Sequence, residues 1–213
     1  MSADDFSALW LTLRLAFLVT VLLLLIATPL AWALANMKSS LKPVIEAIVA
    51  LPLVLPPTVM GFYLLIAFNP NAPFGGFWLN VTGDTLAFSF IGLVIASLFY
   101  SLPFAVQPLQ SAFESVGREV MEAAASLRAG PLDAFFTIVA PLSFRGFLTA
   151  AVLSFAHTLG EFGVVLMVGG AIPGETRVVS IAIYEHVETL RYGEAHMLAA
   201  TLLVLSFLIL LFT

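Results

Sequence analysis

The chain has 213 residues, 61% of them hydrophobic and only 10% charged, with a mean hydropathy of +1.08. Soluble domains carry about 25% charged residues, so this composition cannot cover a water-facing surface and excludes a soluble enzyme, a nucleic-acid binder and a disordered chain. The formal net charge of −5 decides little, because in a membrane protein the side each charge faces matters more than the sum, and the absence of cysteine excludes disulfides and thiolate metal sites.

A hydrocarbon core of about 30 Å requires roughly 20 apolar helical residues. No Asp, Glu, Lys or Arg interrupts Leu15–Met37 over 23 residues, Ala47–Gly83 over 37, Thr85–Phe113 over 29 or Ala195–Thr213 over 19. The apolar part of the second gap stops near Phe68, before Asn69-Pro70-Asn71-Ala72-Pro73, and from Gly146 to Gly174 the only full charge is Glu161. These gaps predict an all-α polytopic membrane protein, a single domain over 1–213 with helices at about 8–36, 45–68, 86–108, 145–169 and 195–213. Helices are favoured over a barrel because no ten-residue dyad repeat is present. The acidic leader Met1-Ser2-Ala3-Asp4-Asp5 and the length of the first apolar run argue against a cleaved signal peptide.

Lys38, Lys42, Arg118, Arg128 and Arg145 fall in one set of loops; Arg177 and Arg191 fall in the other, with Arg14 near the far end of the first helix. The positive-inside bias places the first set in the cytoplasm. The N-terminus is then outside and the C-terminus inside, with external loops at about 69–85 and 170–193 and a long cytoplasmic loop at about 110–144. The chain is still apolar at Thr213, and a basic cytoplasmic tail is expected beyond it.

Prolines mark Pro29 in the first helix, Pro52, Pro56 and Pro57 in the second, and Pro103 and Pro108 in the third. Each removes an amide donor and crowds the preceding turn. Single prolines are packing kinks, but Leu51-Pro52-Leu53-Val54-Leu55-Pro56-Pro57-Thr58 is dense enough to mark Pro56, Pro57 and Thr58 as part of a pathway or subunit interface.

In the cytoplasmic loop, Val120, Ala124 and Leu127 share one helical face while Glu119 and Glu122 lie on another. Gly130-Pro131 ends that helix, and a second apolar helix runs from Leu132 to Ala140, before Pro141. Membrane-surface packing and a docking knob for a soluble partner are both compatible with this pattern.

Glu122-Ala123-Ala124, Gly130 and Ile138-Val139-Ala140-Pro141 resemble the EAA loop of ABC-transporter permeases. The glycine of that loop falls at Arg128 here, with Gly130 two residues on, and Ala140 stands in place of its leucine. Three further segments, Leu51–Val59, Leu159-Gly160-Glu161-Phe162-Gly163 and Ile172-Pro173-Gly174-Glu175-Thr176-Arg177, resemble the molybdate permease subunits of bacterial ABC importers in order and spacing along essentially the whole chain. Sulfate/thiosulfate permeases share the first segment loosely. The resemblance implies a homodimer of permease chains in a prokaryotic inner membrane, two cytoplasmic ATPase subunits that carry the ATP and Mg, and an external oxyanion-binding protein. It assigns ATPase coupling to Glu122, Ala123, Ala124, Gly130, Ile138 and Pro141, and no cofactor to this chain. Sulfate, thiosulfate or tungstate are the alternative cargoes.

The polar residues within the spans are read from their own chemistry. Glu161 lies about 24 Å along the fourth helix from Arg145 at 1.5 Å per residue, flanked by Gly160 and Gly163. A carboxylate repels an oxyanion, so its expected role is structural or gating. His157, four residues earlier on the predicted helix, reads as a buried hydrogen-bonded histidine, whereas Ser154, Thr158 and Thr149 offer hydroxyls to an aqueous path. With no Lys or Arg in mid-span, no fixed cation offsets the desolvation of an anion, as expected of a conduit whose selectivity lies with a partner. Val179, Ile183, Val187 and Leu190 form one stripe in the last external loop and predict an interfacial helix. There is no P-loop, HExxH or GxSxG, so no ATP hydrolysis or other catalysis is expected of this chain. An ion-coupled secondary carrier is a rival that would show inverted repeats, and an intramembrane enzyme would show paired catalytic residues.

Overall fold

The computed structural model describes residues 2–126 and 128–211, and every regular element among them is helical. Helix α1 (Ala3–Asn36) opens with a capping box: Ser2 Oγ accepts from the Asp5 amide at 3.1 Å, and Asp5 Oδ2 accepts from the Ser2 amide at 2.8 Å. Its buried ridge, Leu11, Leu15, Val19, Leu23, Ala27 and Ala31, recurs every four residues, as ridge-into-groove packing requires. The alanines in its C-terminal half let neighbouring helices approach closely. Helices α2 (Lys42–Val54), α3 (Pro57–Phe68) and the short α4 (Pro73–Thr82) precede α5 (Phe90–Ser115), which stays helical through Pro103 and Pro108.

The segment after α5 holds α6 (Arg118–Ser126), α7 (Pro131–Ala134), a π turn (Phe135–Val139) and α8 (Ala140–Leu142). Next come α9 (Phe144–Leu159), α10 (Gly163–Gly169), α11 (Val179–Glu188) and α12 (Tyr192–Leu211). Leu127, assigned above to the apolar face of the loop helix, lies outside the described residues. Helices α1, α5 and α9 pack on one another to form the centre, α3 and α10 pack as a second pair, and α11 is held by α1 and α12.

Three helices, α1, α5 and α12, are long and apolar enough to cross a membrane. Two bent pairs raise the number to five if each is one span: α2 with α3 across 110°, and Pro131–Leu142 with α9 across 72°. The predicted single helix 45–68 is therefore corrected to two. Pro56 forces Leu55 into extended backbone (ψ 135°), and Pro57, which has no amide proton to give, starts α3. The predicted helix 145–169 is also two helices. The break at Gly160–Phe162 places Glu161 between α9 and α10, so His157 and Glu161 do not share one helical face.

The helix predicted in the last loop exists, but its face differs from the predicted stripe. Val179, Ala182 and His186 are buried, whereas Val187 and Leu190 are exposed. Two polar anchors turn the helix. Thr12 Oγ1 accepts the Val179 amide at 2.8 Å, and His186 Nε2 meets Asp5 Oδ1 at 2.8 Å in a pair that is almost wholly buried. Apolar periodicity misses such anchors because it counts only apolar side chains.

Candidate functional site

The three sequence-distant segments singled out above gather around α10: Leu51–Val59 and Leu159–Gly163 meet at the break before it, and Ile172–Arg177 is anchored at its far end on Gly169. Gly160 ends α9 and Gly163 begins α10. A Cβ on Gly163 would lie 2.7 Å from Pro57 Cβ, so the absence of a side chain lets the start of α10 rest on the start of α3. One turn along each helix Gly61 repeats the device, where a Cβ would come within 2.7 Å of Met167 Cβ. Ser180, at the start of α11, donates its hydroxyl to the Glu161 carbonyl at 2.6 Å. The segment Ile172–Arg177 forms a tight turn: the Thr176 hydroxyl donates to the Gly169 carbonyl at 2.7 Å and accepts the Ile172 amide, and Gly174 holds φ +80°, a left-handed conformation that suits glycine.

Within this frame the Glu161 side chain turns inward. Its Oε2 accepts from Ser97 on α5 at 2.9 Å, and its Oε1 is buried without a partner. One turn down α5, the Ser101 hydroxyl lies 2.9 Å from His157 Nδ1 and 3.1 Å from Thr158 Oγ1. The His157 ring stacks on Phe104 with centroids 4.0 Å apart and lies 5.0 Å from that of Tyr100. Ser97 and Ser101 thus form a polar edge on α5 against which the end of α9 is seated. Their spacing of four residues in an apolar helix was the available signal, and it carries weight only once Glu161 and His157 are known to face it.

A cavity of about 630 Å³ opens beside this edge, with Pro57, Thr58, Tyr100, His157, Glu161 and Gly163 in its wall. Of the predicted pathway residues, Pro57, Thr58 and Glu161 line it. Pro56 is the exposed N-cap of α3. Thr158 stands behind the wall, linked through Ser101, and Ser154 is fully buried with its hydroxyl unmatched. Thr149 bonds back to the Arg145 carbonyl at 2.9 Å. The wall contains hydroxyls and an imidazole but no Lys or Arg, so it can offer hydrogen bonds to an anion without a fixed counter-charge.

The coupling candidates form a second group, between α5 and α9. Glu122 and Ala123 are exposed on α6, while Ala124 is buried. The helix closes with the Ala129 amide donating to the Ala124 carbonyl at 3.1 Å around Arg128, whose φ is +60°. Arg128 therefore holds the left-handed position that glycine would suit, whereas Gly130 is extended (φ −70°) and serves as N-cap of α7. Ile138 lies in the π turn, which forms because Pro141 cannot donate to the turn before it; the Ala140 amide reaches back five residues to the Phe135 carbonyl. Phe135 joins this turn to the bundle, with edge contacts to Trp32 of α1 (5.4 Å) and Phe113 of α5 (5.8 Å), and Phe113 touches Phe147 of α9 in turn (5.8 Å). This aromatic bolt had no periodic signature in the sequence. A nearby network binds α2 to α5: Lys42 to Glu114 at 2.9 Å, and Gln110 to Glu46 at 2.6 Å and Glu114 at 3.0 Å.

Residues 27–213 match the family described as the binding-protein-dependent transport system inner membrane component. A molybdenum transport system permease protein of Azotobacter vinelandii is 57% identical over 210 residues, 99% of this chain and 93% of that protein. A probable sulfate transport system permease protein of Helicosporidium sp. subsp. Simulium jonesii is 32% identical over 97% of this chain and 76% of its own length. Among solved structures, a bacterial ABC transporter involved in import of the acidic polysaccharide alginate superposes with a TM-score of 0.79 at 18% identity, covering 100% of this chain and 78% of its own, which establishes a shared fold.

Proposed function

This chain belongs to the family of binding-protein-dependent transport system inner membrane components, as a multi-pass membrane protein related to molybdenum transport permeases, and from that premise we propose how it works. It is the membrane-spanning permease subunit of an ATP-driven importer whose cargo is molybdate, and it is not itself the ATPase. The observation that carries the cargo is the 57% identity along nearly the whole chain to a molybdenum permease, against 32% to a sulfate permease. Sulfate, thiosulfate and tungstate are the cargoes to test against it.

Two copies form the pore, two cytoplasmic ATPase subunits hold ATP and Mg, and an external oxyanion-binding protein delivers the anion. The N-terminus of α1 is outside and the end of α12 inside. ATPase closure presses on α6, and the bolt of Phe135, Trp32 and Phe113 carries the displacement to α1 and α5. The polar edge of Ser97 and Ser101 then moves against the break at Glu161. The unmatched Ser154 hydroxyl and Glu161 Oε1 support such a second arrangement, because buried polar atoms left single in one state gain partners or water in another. Drive requires that the two states differ in affinity for their partners. Substrate-stimulated ATP hydrolysis in proteoliposomes with the cognate binding protein, measured anion by anion, tests the reading. Stimulation by molybdate ahead of sulfate is expected, and stimulation by sulfate alone would reassign the cargo.

A further inference from the structure

Arg14 is the one basic residue at the N-terminal end of the bundle that no acid neutralises among the described residues. Arg177 pairs with Glu185 at 2.5 Å and Arg191 with Glu194 at 3.6 Å. Among the described residues the Arg14 guanidinium makes no hydrogen bond or ion pair; it lies over the face of Phe90, 4.6 Å from the ring centroid, with its five N–H donors unmatched. Arg14 interrupts an exposed apolar stripe of α1 formed by Phe6, Trp10, Phe17, Val21 and Leu25. Beside it runs a groove of about 540 Å³ lined by Trp10, Leu13, Phe17, Leu18 and Phe155.

Depth follows from helix arithmetic. The charge-free stretch Leu15–Met37 is about 34 Å long at 1.5 Å per residue, close to the hydrocarbon thickness of about 30 Å. Arg14 and Lys38 therefore sit at the two hydrocarbon boundaries, with Trp10 one turn further out, at the level where aromatic belts lie. A guanidinium at that depth on a lipid-facing stripe needs an anion. The anionic group present at that level is a phospholipid phosphate, whose oxygens match the guanidinium fork.

We propose that this groove binds one phospholipid, its phosphate on Arg14 and an acyl chain along Phe17, Leu18 and Phe155. The leaflet is the one that receives the N-terminus of α1, the outer one in the orientation proposed above; the site itself does not depend on that orientation. The lipid supplies the missing counter-charge and fills the groove between α1 and α9, two of the three helices at the centre of the bundle.

The test is native mass spectrometry of the permease purified in its native assembly, with phosphatidylglycerol added back after detergent exchange. One retained lipid per permease chain is expected. Arg14→Gln should reduce retention on the order of tenfold, the loss of one charge-assisted contact, and Arg14→Lys should keep part of it. Leu13→Trp keeps the charge, fills the groove and should also release the lipid. Undiminished lipid on Arg14→Gln would overturn the proposal. So would displacement of the lipid by millimolar inorganic phosphate or molybdate, which would make Arg14 a free-anion site. Cross-linking of a Trp10→Cys variant to its counterpart would also overturn it, because a second copy would then cover the groove.

Discussion

At the residue scale, Glu161 lies in the break between α9 and α10 and is held by its surroundings. One oxygen satisfies Ser97, its carbonyl satisfies Ser180, and its other oxygen is unmatched. Glu161→Gln keeps the shape and the acceptor for Ser97, so the fold should persist while uptake slows and the order of preferred anions stays the same. Glu161→Ala strips Ser97 of its acceptor at a buried site and should cost about 1–3 kcal/mol, read as a lower unfolding temperature in detergent beside competitive uptake of molybdate and sulfate. A changed anion order in the Gln variant would make Glu161 a cargo ligand. Arg128 offers the opposite kind of change. Its left-handed backbone costs roughly 1–2 kcal/mol in an L-residue, and glycine returns about 0.5–1 kcal/mol of that as unfolded-state entropy. Arg128→Gly should therefore raise the unfolding temperature slightly, whereas Gly130→Ala, in extended backbone with open space around its Cα, should be nearly neutral.

At the scale of elements, the proposed coupling divides into a contact and a transmission, and the two can be separated by mutation. Glu122 is exposed on α6 and faces no membrane span, so Glu122→Lys should insert normally yet lose the ATPase subunit on co-purification. Phe135→Leu leaves α6 intact and weakens the edge contacts to Trp32, Phe113 and the neighbouring Phe136. It should retain the ATPase subunit while uptake per ATP hydrolysed falls severalfold; unchanged stoichiometry would remove the bolt from the mechanism. How much of these elements the sequence disclosed follows from their physics. Charge-free runs disclosed that α1, α5 and α12 exist, because lipid demands uniform apolarity, but not all their ends: α1 starts at Ala3 where residue 8 was expected, and α5 ends at Ser115 where residue 108 was expected. The breaks at Pro56-Pro57 and at Gly160–Phe162 were marked by their residues, but the runs on either side stay apolar, so hydropathy alone read straight across them. The face of α11 and the seam of Ser97 and Ser101 were not legible. His186, Asp5, Glu161 and Ser97 find partners 64 to 181 residues away, and no local period encodes such pairings.

At the scale of the whole molecule, the proposed orientation and the proposed cargo handling both follow from where charge is present and where it is absent. The Lys/Arg bias predicts that cysteines placed at the exposed Ser39 and Ser126 label only from the cytoplasm and one at Glu175 only from outside; external labelling at Ser39 would invert the arrangement. The cavity beside Glu161 is walled by hydroxyls, an imidazole, apolar groups and one carboxyl group, with no cation to offset the desolvation of a divalent oxyanion. In the proposed function such a conduit passes an anion without holding it, and selectivity belongs to the protein that delivers the cargo. The permease with its ATPase subunits, but without the binding protein, should show weak molybdate binding or none by isothermal titration. Removing the Thr58 hydroxyl should slow transport modestly and leave anion preference unchanged, since a single neutral donor contributes about 0.5–1.5 kcal/mol. A Kd on the order of micromolar, about −8 kcal/mol, is more than such donors supply; it would require a preorganised anion site elsewhere in the bundle and would overturn the conduit reading.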